Sequence, residues 1–167
     1  GVKQLELSWD YLDWDNGDKE NNLLFVPIYG VTERLELSVE IPYMFHNTKV
    51  EEEQDDEDGI GDINLVGKFL LMEEADLPAF TIKGVIKTET GDEDEGLGSG
   101  DVDYSLVAVS SMTHGKLQVH LMLGYTWVGD NGDENTRDIY IWGVAGDYTA
   151  TEKLHIVSEI SGNRHPD

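Results

Sequence analysis

Arg34-Leu35-Glu36-Leu37-Ser38-Val39-Glu40-Ile41 (34–41) alternates polar and apolar side chains without a break. Such a stretch has period 2, so an extended chain presents Leu35, Leu37, Val39 and Ile41 on one face and Glu36, Ser38 and Glu40 on the other. The reading extends outward from there. Nine segments are expected to be strands: 2–12, 22–30, 33–46, 60–72, 78–88, 101–112, 116–128, 137–148 and 151–162. No segment has a convincing helical period. The nearest to a helical turn is Glu73-Glu74-Ala75-Asp76, which Pro78 would end.

The connections alternate in length. Short turns are expected at 29–33, 112–116 and 148–152, with a longer one at 71–77. Long loops are expected at 13–22, 47–59, 88–100 and 129–138, and they carry four, seven, five and four acids in turn. Successive connections of an up-and-down sheet lie at opposite ends. All the short turns therefore gather at one end and all the long acidic loops at the other, the build of an outer-membrane barrel.

Composition excludes several functions. The 167 residues suffice for one domain, and no linker or second composition zone divides 1–167. There is no Cys, hence no disulfide framework or thiolate metal site. The 35 acids outweigh 11 Lys and Arg for a formal net charge of −24, which disfavours nucleic acid and anionic membrane surfaces as electrostatic partners. The acidic loops read either as solvated, solubilising segments or as a rim that gathers cations at a pore mouth. No apolar run is long enough for a transmembrane helix, but barrel strands need only about 9–11 alternating residues. No signal peptide is visible, and a chain starting at Gly1 fits a mature or trimmed form.

Faces follow from parity. Leu35, Leu37, Val39, Ile41, Ile82, Leu121 and Leu123 belong to an apolar face. Glu36, Glu40, Asn64, Lys68, Lys83, Lys87, Asp103, Gln118, His120, His155 and Glu159 belong to a polar one. The eighth segment is ambiguous, since Ile139/Ile141 and Tyr140/Trp142 are both apolar pairs. Alternation does not say which face points inward. A soluble barrel or sandwich puts the apolar face inside, and an outer-membrane barrel puts it outside. Loop alternation, strands of about twelve residues where globular proteins favour about 5–6, and aromatic placement favour outside. Trp9, Tyr11, Tyr43, Phe45, Tyr125 and Trp127 all sit near strand ends that meet long loops, as an interfacial girdle would. Ordinary strand propensity also enriches aromatics.

Gly-Val-Thr-Glu-Arg-Leu-Glu-Leu-Ser-Val-Glu-Ile-Pro-Tyr (30–43) resembles a hairpin of a bacterial outer-membrane family named for the meta-pathway of phenol degradation and also called transporter-like. Gly-Ile-Gly-Asp-Ile-Asn-Leu-Val-Gly-Lys-Phe (59–69) and Thr-Gly-Asp-Glu-Asp-Glu-Gly-Leu-Gly-Ser-Gly-Asp-Val-Asp-Tyr (90–104) resemble its following segments. Gly-Tyr-Thr-Trp-Val-Gly-Asp (124–130) and Thr-Glu-Lys-Leu-His-Ile-Val-Ser-Glu-Ile-Ser-Gly (151–162) complete a likeness over most of 23–162. Singly these motifs are weak; in this order they are specific. The resemblance implies an antiparallel outer-membrane β-barrel of about 8–12 strands and a passive channel for small, aromatic or hydrophobic compounds. It carries no catalytic residues. Two departures stand out. Family members are usually longer, and the chain stops at Asn-Arg-His-Pro-Asp (163–167), not on an aromatic residue. Nine strands is also odd where single-chain bacterial barrels are even. The expectation is a miscount, a fragment truncated at its C-terminus, or a barrel closed with another chain.

Read as a pore, the eleven polar-face residues line the lumen, and mixed charges there plug a narrow barrel or set a transverse field in a wide one. Read as a soluble protein, they face bulk water. No cofactor is expected. Asp13-Trp-Asp15-Asn-Gly17-Asp18-Lys-Glu20 alternates carboxylates loosely like a calcium loop but lacks the twelve-residue pattern, and Asp130-Asn-Gly-Asp133 is weaker still. Weak divalent-cation binding by acidic loops is the most they suggest. Ser105, His120 and His155 would serve a barrel hydrolase only if a His met both a Ser and a carboxylate. Gly96-Leu-Gly98-Ser-Gly100 has no βαβ unit around it and is not a dinucleotide fingerprint. The expectation is thus a non-enzymatic channel in the bacterial outer membrane, with membrane lipid and small solutes as partners, no nucleic acid, and self-association as an option. The alternatives are a soluble acidic β protein that binds a small ligand or its own copies, and a barrel lipid hydrolase.

Overall fold

The structure, a computed structural model, describes residues 1–13, 19–50, 53–129 and 137–165, and the side chains of all these except 13, 19–20, 46–50 and 53–56. The strands are β1 (Lys3–Asp13), β2 (Lys19–Gly30), β3 (Leu35–Val50), β4 (Glu53–Ile60), β5 (Asn64–Met72), β6 (Ala79–Lys87), β7 (Asp103–His114), β8 (Leu117–Trp127), β9 (Ile139–Thr151) and β10 (Leu154–Arg164). All pairs are antiparallel, in the order β1-β2-β3-β5-β6-β7-β8-β9-β10, with β4 on the upper part of β3. The result is a curled half-barrel of nine strands.

The short turns have local causes. Gly115 is the first of two residues joining β7 to β8 and has φ +62°, the conformation a type II′ hairpin needs at that position. Before β3, the Thr32 hydroxyl accepts from the backbone N–H groups of Arg34 (3.1 Å) and Leu35 (2.9 Å). Residues 74–77 form bends, and 73–76 is not the expected helical turn. Their acids are engaged next door: Glu73 pairs with Arg34 at 2.8 Å, and Glu74 accepts from the Thr113 backbone (2.6 Å) and hydroxyl (3.0 Å).

The expected loop at 47–59 is a correction. β3 continues to Val50 and pairs with β4, so most of that stretch is an acidic two-stranded ribbon. β3 changes partner at Pro42: below it Glu40 pairs with Asn64 of β5, above it Tyr43 pairs with Ile60 of β4. Proline has no N–H to give the ladder, so the chain opposite leaves it at 61–63. Gly61 N–H still donates to Pro42 O at 3.0 Å. A Cβ on Gly61 would lie 2.8 Å from Met44 Sδ and 3.1 Å from Pro42 Cγ, which explains a glycine at this crossing.

Register gives the tilt. One hydrogen-bonded row runs Lys3, Tyr29, Leu37, Gly67, Gly84, Leu106, Tyr125, Tyr140, Arg164. It begins at the short-turn end of β1 and finishes at the far end of β10, ten residues beyond Leu154. That stagger is about 33 Å along the strands over roughly 38 Å of sheet width. Their ratio corresponds to a tilt of about 40°, inside the barrel range of roughly 35–45°.

The two faces differ in exposure. Val66 (4%), Val107 (5%), Ser38 and Thr126 are buried on one face, while Leu37 (47%), Leu121 (52%) and Leu123 (69%) stand exposed on the other. The sheet therefore curls toward the polar face, and the apolar face is convex. Parity settles the ambiguous strand: Tyr125 pairs with Tyr140 and Leu123 with Trp142, so Tyr140 and Trp142 are convex while Ile139 and Ile141 are concave. The surface is 11758 Å², against about 8,300 Å² expected for a folded monomer of this mass. Among the described residues no large side chain is fully buried.

Because a side chain at φ +62° is strained, Gly115→Ala should destabilise the folded form by about 1–2 kcal/mol. Urea titration in detergent reads this directly. An unchanged midpoint would mean that the β7–β8 turn does not depend on the left-handed residue.

Candidate functional site

The concave face is built in rows across the sheet. A middle row, Ser38, Val66, Val85, Ser105, Thr126, Ile139, includes the buried Ser38, Val66 and Thr126. The Ser105 and Thr126 hydroxyls in it hydrogen-bond at 2.8 Å. Charged rows lie to either side. Below, Lys68 Nζ meets Glu36 at 3.0 Å. Above, Asn64 donates to Glu40 at 2.9 Å, Lys83 Nζ lies 3.7 Å from Glu40, and Lys87 Nζ lies 2.6 Å from Asp103. Lys68 and Lys83 are direct cross-strand neighbours, a like-charge pair that Glu36 and Glu40 compensate from the β3 side.

Strand parity puts all eleven sequence-predicted polar residues, Glu36 through Glu159, on this concave face. Leu35, Leu37, Val39, Ile41, Ile82, Leu121 and Leu123 lie on the convex face with the six expected girdle residues. Tyr104, Tyr140 and Trp142 extend that girdle, and Tyr29, Phe69, Phe80 and Tyr148 form a second convex belt toward the short turns. Tyr43 donates to Asp58, and Tyr125 to Asp138 at 2.6 Å, so two rings of the upper belt hang from rim acids.

The sequence did not reveal how the mouth is organised. The ladder break at 61–63 leaves backbone groups that residues 88–102 satisfy. Thr88 N–H donates to Ile63 O at 2.9 Å, and Ile63 N–H to the Thr90 hydroxyl at 2.9 Å. The Thr90 hydroxyl donates to Gly61 O at 3.1 Å. Asp62 accepts from the N–H groups of Gly91 (3.0 Å) and Ser99 (2.9 Å) and from the Ser99 hydroxyl (3.2 Å). Lys87 Nζ lies 3.7 Å from Asp62 and also contacts Ser99. Leu97 is 4% exposed and fills the space over Gly59 and Gly61. The β6–β7 connection is thus fixed against the sheet wall. At its tip, repulsion from Glu57 and then Asp92 raises the Glu95 carboxyl above its ordinary range, with smaller contributions from desolvation and then Asp58.

The histidines divide the requirements of a catalytic triad between them. His120 Nδ1 lies 2.7 Å from the Ser111 hydroxyl, and His155 Nδ1 lies 2.9 Å from Asp147. Neither has both a serine and a carboxylate. Ser105 is bonded to Thr126 instead. Among the described residues no three His, Asp or Glu converge as metal ligands. The expected cation loops at 13–20 and 130–133 lie outside the described side chains.

A family model described as "Putative MetA-pathway of phenol degradation" matches residues 9–162. The chain belongs to this family. No curated protein gives a significant match. The family's extent runs from Trp9 of β1 to Gly162 of β10, so both the ion rows and the fixed 88–102 connection fall within it.

Asp62 is 10% exposed at its side chain and holds three loop donors. Asp62→Ala should therefore cost about 2 kcal/mol. It should also speed cleavage after Glu89, Glu93 and Glu95 by a Glu-specific protease. Cleavage at the wild-type rate would show that Leu97 packing alone fixes the connection.

Proposed function

We propose that this protein is a channel of the bacterial outer membrane, through which small apolar or aromatic compounds pass passively along the concave face. The observation that carries the reading is the inversion of the usual pattern. Most leucines and the aromatic belts are convex and exposed, while paired ions, hydroxyls and several valines are concave. In water a contiguous apolar surface of this extent invites aggregation, whereas a bilayer solvates it. The strand tilt and the two aromatic belts agree with that setting. The family description concerns a phenol-degradation pathway, and a route for small aromatic compounds is compatible with it.

The concave face suits passage and not catalysis. Glu36, Glu40 and Asp103 are matched by lysines, which leaves a polar wall with Val66, Val85, Val107 and Val109 between the charges. Such a wall wets but holds no solute strongly. The acids Glu57, Asp58, Asp92 and Glu95 at the mouth add a cation-attracting field.

Two experiments test this reading. Purified protein should stay monodisperse only in detergent and should conduct ions in a planar bilayer; a monodisperse species without detergent would overturn the proposal. Leu121→Arg, on the convex face, should cost about 2–4 kcal/mol in a bilayer, whereas Gln118→Arg on the concave face should be nearly neutral. Equal costs would remove the distinction between lipid and lumen.

The mouth acids set a pH dependence. Glu95 has a raised pKa in the folded protein, so the folded form takes up this proton more readily than the unfolded chain. Acidification through that window relieves repulsion against Glu57 and favours the docked connection, while cation attraction falls. Reversal potentials measured in a salt gradient should show cation preference declining as pH drops from neutral toward the carboxylate range. Glu95→Gln together with Glu57→Gln should flatten that decline.

A further inference from the structure

A hollow of about 340 Å³ lies on the concave face of β7–β10, away from the ion rows. Its floor is Gly143 and Ala145, and Val109 and Met122 form its apolar wall. His120 and Glu159 stand to either side of Ala145 in a single row, since His120 pairs with Ala145 and Ala145 with Glu159. The hollow exists because β9 carries small residues where its neighbours carry large ones.

We propose that this hollow is a binding station for a small neutral molecule with a hydroxyl group on an apolar body. The inference rests on the channel reading, because the concave face is the route a solute would take. The chemistry follows from the walls. The volume is at the small end of ligand sites, which run about 300–1,000 Å³, so one ring or a short branched chain fits. Glu159 accepts a hydroxyl proton and repels carboxylates and phosphates, as does the net charge of −24. Ser111 holds His120 by Nδ1 at 2.7 Å, which leaves Nε2 as the ring's remaining hydrogen-bonding atom. Met122 offers a polarizable thioether and Val109 an apolar surface to the body of the guest. Paired lysines dominate the rows around Lys68 and Lys83, but no lysine lines this hollow.

The test uses the full chain in detergent micelles and fluorine NMR with four probes: para-fluorophenol, para-fluorotoluene, para-fluorobenzoate and para-fluorobenzylamine. The phenol should bind saturably, with the toluene and the benzoate at least about tenfold weaker, the expected effect of one lost charge-assisted hydrogen bond. Glu159→Gln should weaken the phenol and leave the toluene unchanged. Ala145→Leu, which fills the hollow, should abolish the difference between them. Should Ala145→Leu fail to fold, Glu159→Gln on the exposed edge strand decides alone. Equal binding of phenol and toluene would mean partition into apolar surface and would overturn the proposal. Tighter binding of the benzylamine would make the hollow a cation site and overturn it equally. Bilayer conductance reads the channel proposal separately. A conducting protein without saturable phenol binding sinks the station alone. A non-conducting protein with the binding pattern intact sinks the channel and leaves the station.

Discussion

Strand parity, locked by hydrogen-bonded register, is the constraint on which everything else depends. A slip of one residue in the β7–β8 hairpin would send Leu121 and Leu123 to the concave side and His120 and Met122 to the convex side. The ladders hold because each short turn closes in one way. Gly115 at positive φ and the Thr32 hydroxyl fix two of them, and Glu73 and Glu74 cross-link neighbouring turns to one another. Ion pairs, belts and the hollow are consequences of a register set mostly at the short-turn end.

A departure from that regularity creates the organised mouth. Pro42 cannot donate, so the ladder beside it opens, and the freed groups of 61–63 need partners. The threonines and glycines of 88–102 supply them, with Asp62 accepting loop N–H groups and Lys87 beside it offsetting the charge. One missing N–H thereby places a loop against the sheet wall. The same loop brings Glu95 close to Glu57 of the ribbon, so the mouth's acidity and its rigidity have one origin.

Local pattern made most of the fold legible. Leu35 to Ile41 alternate strictly, and a period of 2 leaves no other assignment. Turn positions were legible because Gly, Thr and short polar runs punctuate them. The ribbon at 43–60 was not: Glu53, Asp55, Asp56, Glu57 and Asp58 have poor strand propensity and read as loop, but β3 offers them a ready backbone ladder. The bends at 74–77 are not legible because Glu73 and Glu74 are good helix formers, and their cross-turn partners Arg34 and Thr113 are 39 residues away. Asp62 and Leu97 gave no local signal of their role, since Asp62 falls inside the strand expected at 60–72, where the structure breaks the ladder, and a lone leucine in a glycine run looks like ordinary loop. The concave face likewise proved less polar than charged residues alone suggested, because Val26, Val66 and Val107 have no alternating partner to mark them.

Direction completes the geometry. Along the nine-strand path β1 and β10 run the same way, each from the short-turn end toward the acidic end. Pairing one with the other would be parallel, whereas every pair in the sheet is antiparallel. Antiparallel closure therefore requires an odd number of further strands between them. A second copy related by rotation about the barrel axis adds nine and closes the ring through two seams at which a β10 meets a β1 running in the same direction, the assembly in which copies of this chain alone would conduct. The exposure of β10 on both faces, with Val157 at 68% and Ile160 at 67%, is the energetic counterpart of this parity. A strand with bare apolar side chains and an unpaired ladder favours a neighbour of opposite direction, and the alternation already in β10 prescribes that neighbour's pattern: apolar beside Ile156 and Ile160, polar beside His155 and Glu159.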